Sequence, residues 1–481
     1  MITEYDVIVI GAGAVGENVA DRARLGGMTS VIIESELVGG ECSYWACMPS
    51  KALLRSGALL REAQRVGGSR EAVTGMLDVA AVLKRRNHMA HDWKDDGQVD
   101  WLSGANIDLV RGRGVITAPR EVTVTAEDGT VTVLTARHAV AVTSGSASLL
   151  PDIPGLRESE PWTSRDATSA QHVPASLAIL GGGVTAVEMA TAYAGFGTRV
   201  DLITRHGLLT TSEPFAGEMV ADSLRELGAT LHLDTTVTAV ERTDENGFRV
   251  DLDDGTTVRA AEFLVATGRI PNTVGIGLDA FGLEEGAWLD VDDTMRVLAS
   301  DGEPVDGGWL YGVGDVNNRA LLTHQGKYQA RAAGDAIAAR AKGKTVHMEP
   351  WGKYVATADH RAVPQVVFTD PEVATIGLTS AEADRAGYRI SIVDYPIGSV
   401  AGASIAADNY TGHARMVVDE ERQVVLGVTF VGQDVGELLH SATVAVVGEV
   451  PLARLWHAVP SYPTVSEVWL RLLEAYGRPE E

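Results

Sequence analysis

Cysteine occurs at only two positions in this 481-residue chain, 42 and 47. Both lie in the run Gly39-Gly40-Glu41-Cys42-Ser43-Tyr44-Trp45-Ala46-Cys47-Met48-Pro49-Ser50-Lys51. In a reducing compartment a lone close pair points to catalysis or metal binding rather than to a structural staple. Two ligands do not complete a structural zinc site, so no metal is expected. Pro49 suits the first turn of a helix that Ala52-Leu53-Leu54 continues, which puts Cys47 at the helix N-terminus. There the helix dipole favours a thiolate, and Lys51, one turn further on the same face, adds positive charge. A thiolate held in this way can donate charge to an adjacent electron-poor ring, while Cys42 would be the outer thiol, free to attack a disulfide. The bland alternative is two buried, inert cysteines, and the glycine-flanked, helix-capping context disfavours it.

The elements that must position this pair start at the N-terminus. Tyr5-Asp6-Val7-Ile8-Val9-Ile10 reads as a buried parallel strand, followed by Gly11-Ala12-Gly13-Ala14-Val15-Gly16, a helical stretch to Leu25 and a second strand from Thr29 to Glu34. Gly11 permits the tight turn, Gly13 lets a pyrophosphate approach the backbone, and Gly16 allows close helix–strand packing. The helix start faces the phosphates. Glu34, 18 residues after Gly16, is placed to bond a ribose hydroxyl. About 170 residues later the pattern returns: Leu177 to Leu180 leads into Gly181-Gly182-Gly183-Val184-Thr185-Ala186, a helix from about Val187 to Phe196, and the strand Val200 to Ile203. Here Gly181, Gly183 and Ala186 take the three fingerprint places. Two such units imply two bound nucleotides.

Between the units, residues 115–150 alternate like antiparallel strands with an Asp128-Gly129 turn. Pro151-Asp152-Ile153-Pro154-Gly155 marks a boundary. Beyond about residue 350, strands such as Val363 to Phe368 and Val424 to Val431 mix with helices, with no third glycine fingerprint. The expected fold is α/β: two Rossmann-like dinucleotide-binding domains plus a C-terminal α+β dimerisation domain. The expected boundaries are 1–150 for the first (completed by about 272–348), 151–271 for the second and 349–481 for the third.

Charge and hydropathy exclude several classes. With 40 Lys and Arg against 65 Asp and Glu, the net charge of −25 repels phosphate backbones, so no nucleic-acid partner is expected. No apolar run reaches the length of a membrane span, and Met1-Ile2-Thr3-Glu4-Tyr5-Asp6 is not a signal peptide, so the expected location is cytoplasmic, away from membranes.

The cysteine segment resembles the active-site signature of the class I pyridine nucleotide-disulfide oxidoreductases, a family that includes glutathione reductase, dihydrolipoamide dehydrogenase and mercuric reductase. The resemblance runs nearly end to end. Leu264-Val265-Ala266-Thr267-Gly268-Arg269-Ile270-Pro271-Asn272 is similar to the family's second "ATGR-PN" strand, and Val142-Thr143-Ser144-Gly145-Ser146 stands in place of the first "ATG" element. Tyr311-Gly312-Val313-Gly314-Asp315 resembles the flavin motif whose aspartate binds the ribityl chain, and Leu322-Thr323-His324-Gln325 follows it. The resemblance implies FAD as cofactor, a Cys42–Cys47 redox-active disulfide, and a homodimer. Gly40, Gly145, Gly268, Arg269, Gly314, Asp315 and Thr323 would join Gly11, Gly13, Gly16 and Glu34 in cofactor binding. It also implies an electron path from nicotinamide through flavin to the disulfide, with Cys47 as the charge-transfer thiolate and Cys42 as the interchange thiol. Lys51 would pair with Glu188 near the reactive flavin nitrogen.

For the nicotinamide, an acid ending the second strand would bond the 2′-hydroxyl of NAD and repel a 2′-phosphate. Position 204 is Thr, and Arg205-His206 follow; Arg suits phosphate by charge and fork geometry. Ala186 in the third glycine's place also resembles glutathione-reductase-like NADPH enzymes, although Thr211 stands where those enzymes have a further Arg. NADPH is expected, with NADH as the alternative; taken alone, Arg205 also fits a solvated surface charge.

The chain departs from the family at its end. Disulfide reductases carry His-Pro-Thr-x-x-Glu, which reaches the partner's disulfide across a two-fold dimer. Here the segment is Tyr462-Pro463-Thr464-Val465-Ser466-Glu467. A phenol, with a reference pKa of about 10 against about 6.5 for imidazole, is a poor base but can donate a proton. Nearby His457 reads as a surface histidine. Mercuric reductases resemble this chain in the tyrosine, yet they also use a C-terminal cysteine pair, and Tyr476 to Glu481 holds no thiol. Tyr44 and Trp45 fit stacking on a flat substrate, narrowing an entrance, or plain packing. The expected catalytic set is Cys42, Cys47, Lys51, Glu188, Tyr462 and Glu467. The leading expectation is NADPH-driven reduction of a small disulfide or thiol-reactive substrate. The alternatives are a quinone or electrophile reductase, a dihydrolipoamide dehydrogenase-like enzyme, and a non-catalytic flavin redox sensor.

Overall fold

A computed structural model describes residues 3–243 and 247–478. The last expected tail residues, Pro479 to Glu481, lie outside them. The chain divides into two compact units, each assembled from three stretches of sequence.

The first unit comprises Met1–Pro49, Asn87–Leu149 and Arg269–His360. Its main sheet runs in the order Asp108–Arg111, Ser30–Glu34, Glu4–Ile10, Val131–Val142, Glu121–Thr125, Arg113–Ala118, and Leu310–Gly312 also pairs with Val131–Val142. The central pairings are parallel, whereas the hairpin strands 113–118 and 121–125 are antiparallel. Val7 and Val9 point to one face and Ile8 and Ile10 to the other, and all four are buried. A strand packed on both faces needs such an unbroken apolar run. The helices Ala14–Leu25 and Thr323–Ala341 cover one face, with Ala20, Ala23, Ala330 and Ala333 allowing their close approach.

The second unit comprises Ser50–Arg86, Leu150–Gly268 and Arg361–Glu481. It holds a parallel four-stranded sheet in the order Thr230–His232, Arg199–Ile203, Ser176–Leu180, Glu262–Val265, and a three-stranded antiparallel sheet. A five-stranded antiparallel sheet is built from Gln365–Val367, Glu372–Gly377, Val424–Gly432, His413–Asp419 and Ile390–Pro396.

Two boundaries differ from the sequence reading. The second fingerprint helix begins at Val184 rather than near Val187, running Val184–Gly195 directly after an extended Gly183. Val184 and Thr185 are β-branched and weak helix formers, but packing of the buried face outweighs that preference. The strand expected over Val363 to Phe368 is only Gln365–Val367. Pro364 has no N–H to give to a ladder, and the Phe368 N–H is spent on the Glu188 carboxylate instead.

Candidate active site

The first glycine loop is built for an anion. Gly11 has φ +104, and a Cβ there would lie 2.6 Å from the Thr143 carbonyl oxygen, so no other residue fits. A Cβ on Gly16 would stand 2.0 Å from the Gly11 oxygen, which is how this helix comes to rest on its strand. Gly13, by contrast, faces open space, with nothing within 4 Å of its would-be Cβ. The helix Ala14–Leu25 starts there with no side-chain cap, so its first N–H groups are left to a ligand. Glu34 closes the strand Ser30–Glu34, its Oε2 accepting from the Ala12 N–H at 2.6 Å and its Oε1 from the Glu36 N–H at 2.8 Å. This open cradle with an acid at its edge suits a dinucleotide's pyrophosphate and ribose.

The cysteine segment lies directly on this loop. The Gly39 N–H donates to the Ala12 carbonyl at 2.7 Å. A Cβ on Gly40 would come within 2.8 Å of the Gly13 Cα, so that approach requires glycine. Cys42 falls in the short helix Gly40–Tyr44, and Cys47 opens the helix Cys47–Gln64. Both are half-buried free thiols, hydrogen-bonded to one another. The Cys47 Sγ also meets the Thr323 Oγ1 at 3.2 Å, and Thr323 opens the helix Thr323–Ala341. The Cys42 thiol is pushed strongly up, first by its hydrogen bond with Cys47 and then by burial, while Thr323 and Lys327 pull the other way. Two helix starts, of Cys47–Gln64 and Thr323–Ala341, meet at the Cys47 sulfur, and a helix start favours negative charge.

Asp315 follows the left-handed Gly314 (φ +82), whose N–H donates to Gln329 Oε1 at 2.8 Å. The Ser146 hydroxyl donates to Asp315 Oδ2 at 2.6 Å, and the Arg269 Nε–H donates to Ser146 Oγ at 2.5 Å. Ser146, one residue past Gly145, therefore bridges the first "ATG" element, Arg269 and the flavin-motif aspartate. Gly268, with φ +156, precedes Arg269.

In the second unit, Lys51 Nζ lies 2.8 Å from Glu188 Oε2, and Glu188 is 3% exposed. The second glycine loop repeats the first: Gly181 has φ +135 and abuts the Ala266 oxygen, Gly183 faces open space, and Ala186 is buried. Arg205 and His206 are exposed just past the strand Arg199–Ile203, whereas Thr204 is buried.

The structure narrows one sequence-level reading, that of the Tyr44-Trp45 pair, and places the C-terminal residues. Tyr44 is fully buried, its hydroxyl donating to the Val38 carbonyl at 2.9 Å and the Lys94 carbonyl at 3.3 Å. It packs and cannot stack on a substrate; Trp45 meets it edge-on at 5.6 Å. Tyr462 is 77% exposed. Glu467 is buried and turns to Arg471, at 2.6 Å from Oε1. His457 is exposed.

Sequence reasoning missed four contributors. Glu17 directly follows Gly16 in the first helical turn; burial raises its carboxyl to about 7, with Lys327 opposing and Glu34 adding to the rise. Its Oε1 is buried without a hydrogen-bond partner among the described residues. Lys327 stands one turn after Thr323, a spacing that could have drawn notice. Ser146 and Phe368 carry no sequence signal of their own.

Comparison with known proteins adds the following. A family profile described as pyridine nucleotide-disulphide oxidoreductase matches residues 5–335, and one described as its dimerisation domain matches residues 363–472. A mercuric reductase of Staphylococcus aureus is 28% identical over 96% of this chain and 81% of its own length. A dihydrolipoyl dehydrogenase of Chlorobaculum tepidum is 30% identical over 97% of this chain and 96% of its own. Among solved structures, the HOCl-induced flavoprotein disulfide reductase RclA of Escherichia coli superposes with a TM-score of 0.81 at 22% identity, covering 98% of this chain and 99% of that one. LpdA of Mycobacterium tuberculosis gives 0.82 at 23% identity, covering 99% and 100%. At these identities the solved structures speak for the fold alone. Among the described residues, no helix is long and apolar enough to cross a membrane.

Proposed function

Because the chain belongs to the pyridine nucleotide-disulphide oxidoreductase family and is an FAD-dependent oxidoreductase, we propose that it carries reducing equivalents from NADPH to a small disulfide through Cys42 and Cys47. The observation that carries this reading is the thiol pair itself, hydrogen-bonded together, with Cys47 against the Thr323 hydroxyl at 3.2 Å.

Residues 1–150 with 272–348 would hold the flavin, 151–271 the nicotinamide, and 349–481 the dimer contact. Gly11, Gly13, Gly16, Glu34, Gly40, Gly145, Gly268, Arg269, Gly314, Asp315 and Thr323 would hold FAD, which when bound takes hydride from a nicotinamide and gives two electrons to sulfur. Gly181, Gly183 and Ala186 would receive the nicotinamide's pyrophosphate. Arg205 and His206, exposed and with no carboxylate at position 204, favour a 2′-phosphate.

The sulfur chemistry follows from the two thiols' surroundings. Cys42, as thiolate, attacks one sulfur of the substrate disulfide; a Cys42–substrate S–S bond forms and one thiol leaves. The Cys47 thiolate then attacks Cys42, expelling the second thiol and closing the Cys42–Cys47 disulfide. Because the Cys42 proton is hard to remove, the Cys47 thiolate beside it accepts that proton as Cys42 attacks, and it must give the proton up again before its own attack on Cys42. The first leaving thiolate would take the Cys42 proton, relayed by the Tyr462 phenol across the dimer, and the second leaving thiolate takes its proton from water.

Anaerobic titration with NADPH and NADH, followed at long wavelength for a thiolate beside the flavin, should favour NADPH. A disulfide panel should be turned over by the wild type and not by Cys42→Ser. Retained disulfide turnover in that variant would refute the sulfur route. The exposed Tyr462 in place of a histidine base favours a second reading, reduction of quinone-type acceptors that need no leaving-thiol proton; turnover of a quinone panel surviving Cys42→Ser would establish it.

A further inference from the structure

We propose that Phe368 is a positioning residue for the Lys51–Glu188 ion pair, holding the acid with its backbone and the base with its ring. The proposal rests on the reading above, in which that pair serves flavin reduction.

Glu188 is buried, and a buried carboxylate needs a partner for each oxygen. Oε2 takes the Lys51 ammonium at 2.8 Å, and Oε1 takes the Phe368 N–H at 3.0 Å. The Phe368 ring in turn lies over Lys51 Nζ, 4.9 Å from its centroid. One residue therefore touches both members of the pair in two different ways. Hydrophobic burial does not account for the ring, because Phe368 remains 38% exposed. An aromatic face on an ammonium is the cation–π arrangement, and it narrows the choices open to a flexible lysine chain.

Phe368 is itself fixed from the helix it serves. Two residues on, Asp370 Oδ2 receives Arg61 Nε at 2.5 Å and Arg65 NH2 at 2.8 Å. Arg61 lies on the helix Cys47–Gln64, which also carries Lys51, and Arg65 just follows it. Burial alone would raise the Asp370 carboxyl, but the hydrogen bonds and charges of Arg65 and Arg61 outweigh it and hold it below the usual range. The Ser223 hydroxyl donates to the Asp370 carbonyl. The short segment 368–370 is thus fastened to one helix at two heights nearly three turns apart, which fixes the backbone from which the Phe368 ring reaches the ammonium.

The test uses the FAD-loaded wild type, Phe368→Leu and Phe368→Tyr. Leucine keeps the backbone N–H and most of the apolar bulk but has no aromatic face; tyrosine keeps the face. Two quantities are read: the anaerobic rate of flavin bleaching by NADPH at saturation, and the rate at which a trace pulse of acetic anhydride labels Lys51, measured by peptide mass spectrometry against surface lysines. Phe368→Leu should slow bleaching by about threefold to tenfold with little change in nucleotide affinity, and should raise Lys51 labelling by about threefold, with Phe368→Tyr near wild type on both. Wild-type labelling in Phe368→Leu overturns the proposal, as does raised labelling with unchanged bleaching. A wild type that neither nucleotide bleaches refutes the functional reading instead, and the labelling comparison still decides whether the ring holds the lysine.

Discussion

The Cys47 sulfur stands 3.2 Å from the Thr323 hydroxyl, so a single thiol is met by the first residue of one helix and itself begins another. Hydrogen bonds to an ionised group are the stronger kind, worth about 1.5–3 kcal/mol. Thr323→Val keeps the shape and removes the hydroxyl. In a Cys42→Ser background, where Cys47 is the sole thiol, the pH midpoint for alkylation by iodoacetamide should rise by about one to two units. An unmoved midpoint would mean that the hydroxyl fills space without stabilising the thiolate.

Tyr462, which the sequence resemblance puts in the family's histidine position, is exposed in the single chain. Its hydroxyl has no packing role to lose, so Tyr462→Phe should leave stability within about 0.5 kcal/mol of wild type. Disulfide turnover should fall by about a hundredfold while flavin reduction by NADPH stays the same, as expected for a lost proton donor. Unchanged steady-state turnover would remove Tyr462 from the mechanism.

Glu467, which the sequence resemblance puts in the place of the carboxylate that holds the family's histidine, faces Arg471 at 2.6 Å. Its Oε2 is buried without a hydrogen-bond partner among the described residues. Glu467→Gln should slightly lower the urea midpoint, with turnover per folded enzyme unchanged. The reverse outcome, full stability with lost turnover, would return Glu467 to the chemistry.

What could be read from the sequence was local. The Gly11 turn, the open Gly13, the tight Gly16 and the cysteine-to-helix start are each set within about a dozen residues, and residue type alone constrains them. The contacts that complete each unit's cluster span the chain: Cys47 to Thr323 in the first is a separation of 276 residues, and Glu188 to Phe368 in the second is 180. A threonine or phenylalanine gives no local sign of such a partner. The Tyr44-Trp45 pair shows the same limit. Stacking and packing were equally compatible with two adjacent aromatics, and only the backbone carbonyls of Val38 and Lys94 around the Tyr44 hydroxyl decide between them.

Glu17 gives a prediction with a definite sign. Burial makes its charged form costly; Lys327 offsets part of that cost and Glu34 adds to it, so the folded chain keeps the proton up to about 7. An ordinary glutamate releases it near 4.5. Between those values the folded state binds more protons than the unfolded one, and stability must fall as pH rises through that window. Glu17→Gln has no proton to lose and lacks this slope. Relative to wild type, the variant should therefore gain about 3 kcal/mol between pH 4.5 and pH 8, read from urea unfolding at the two pH values. Parallel stability curves for the two proteins would show that Glu17 is ionised in the fold, and that Lys327 or water compensates its charge.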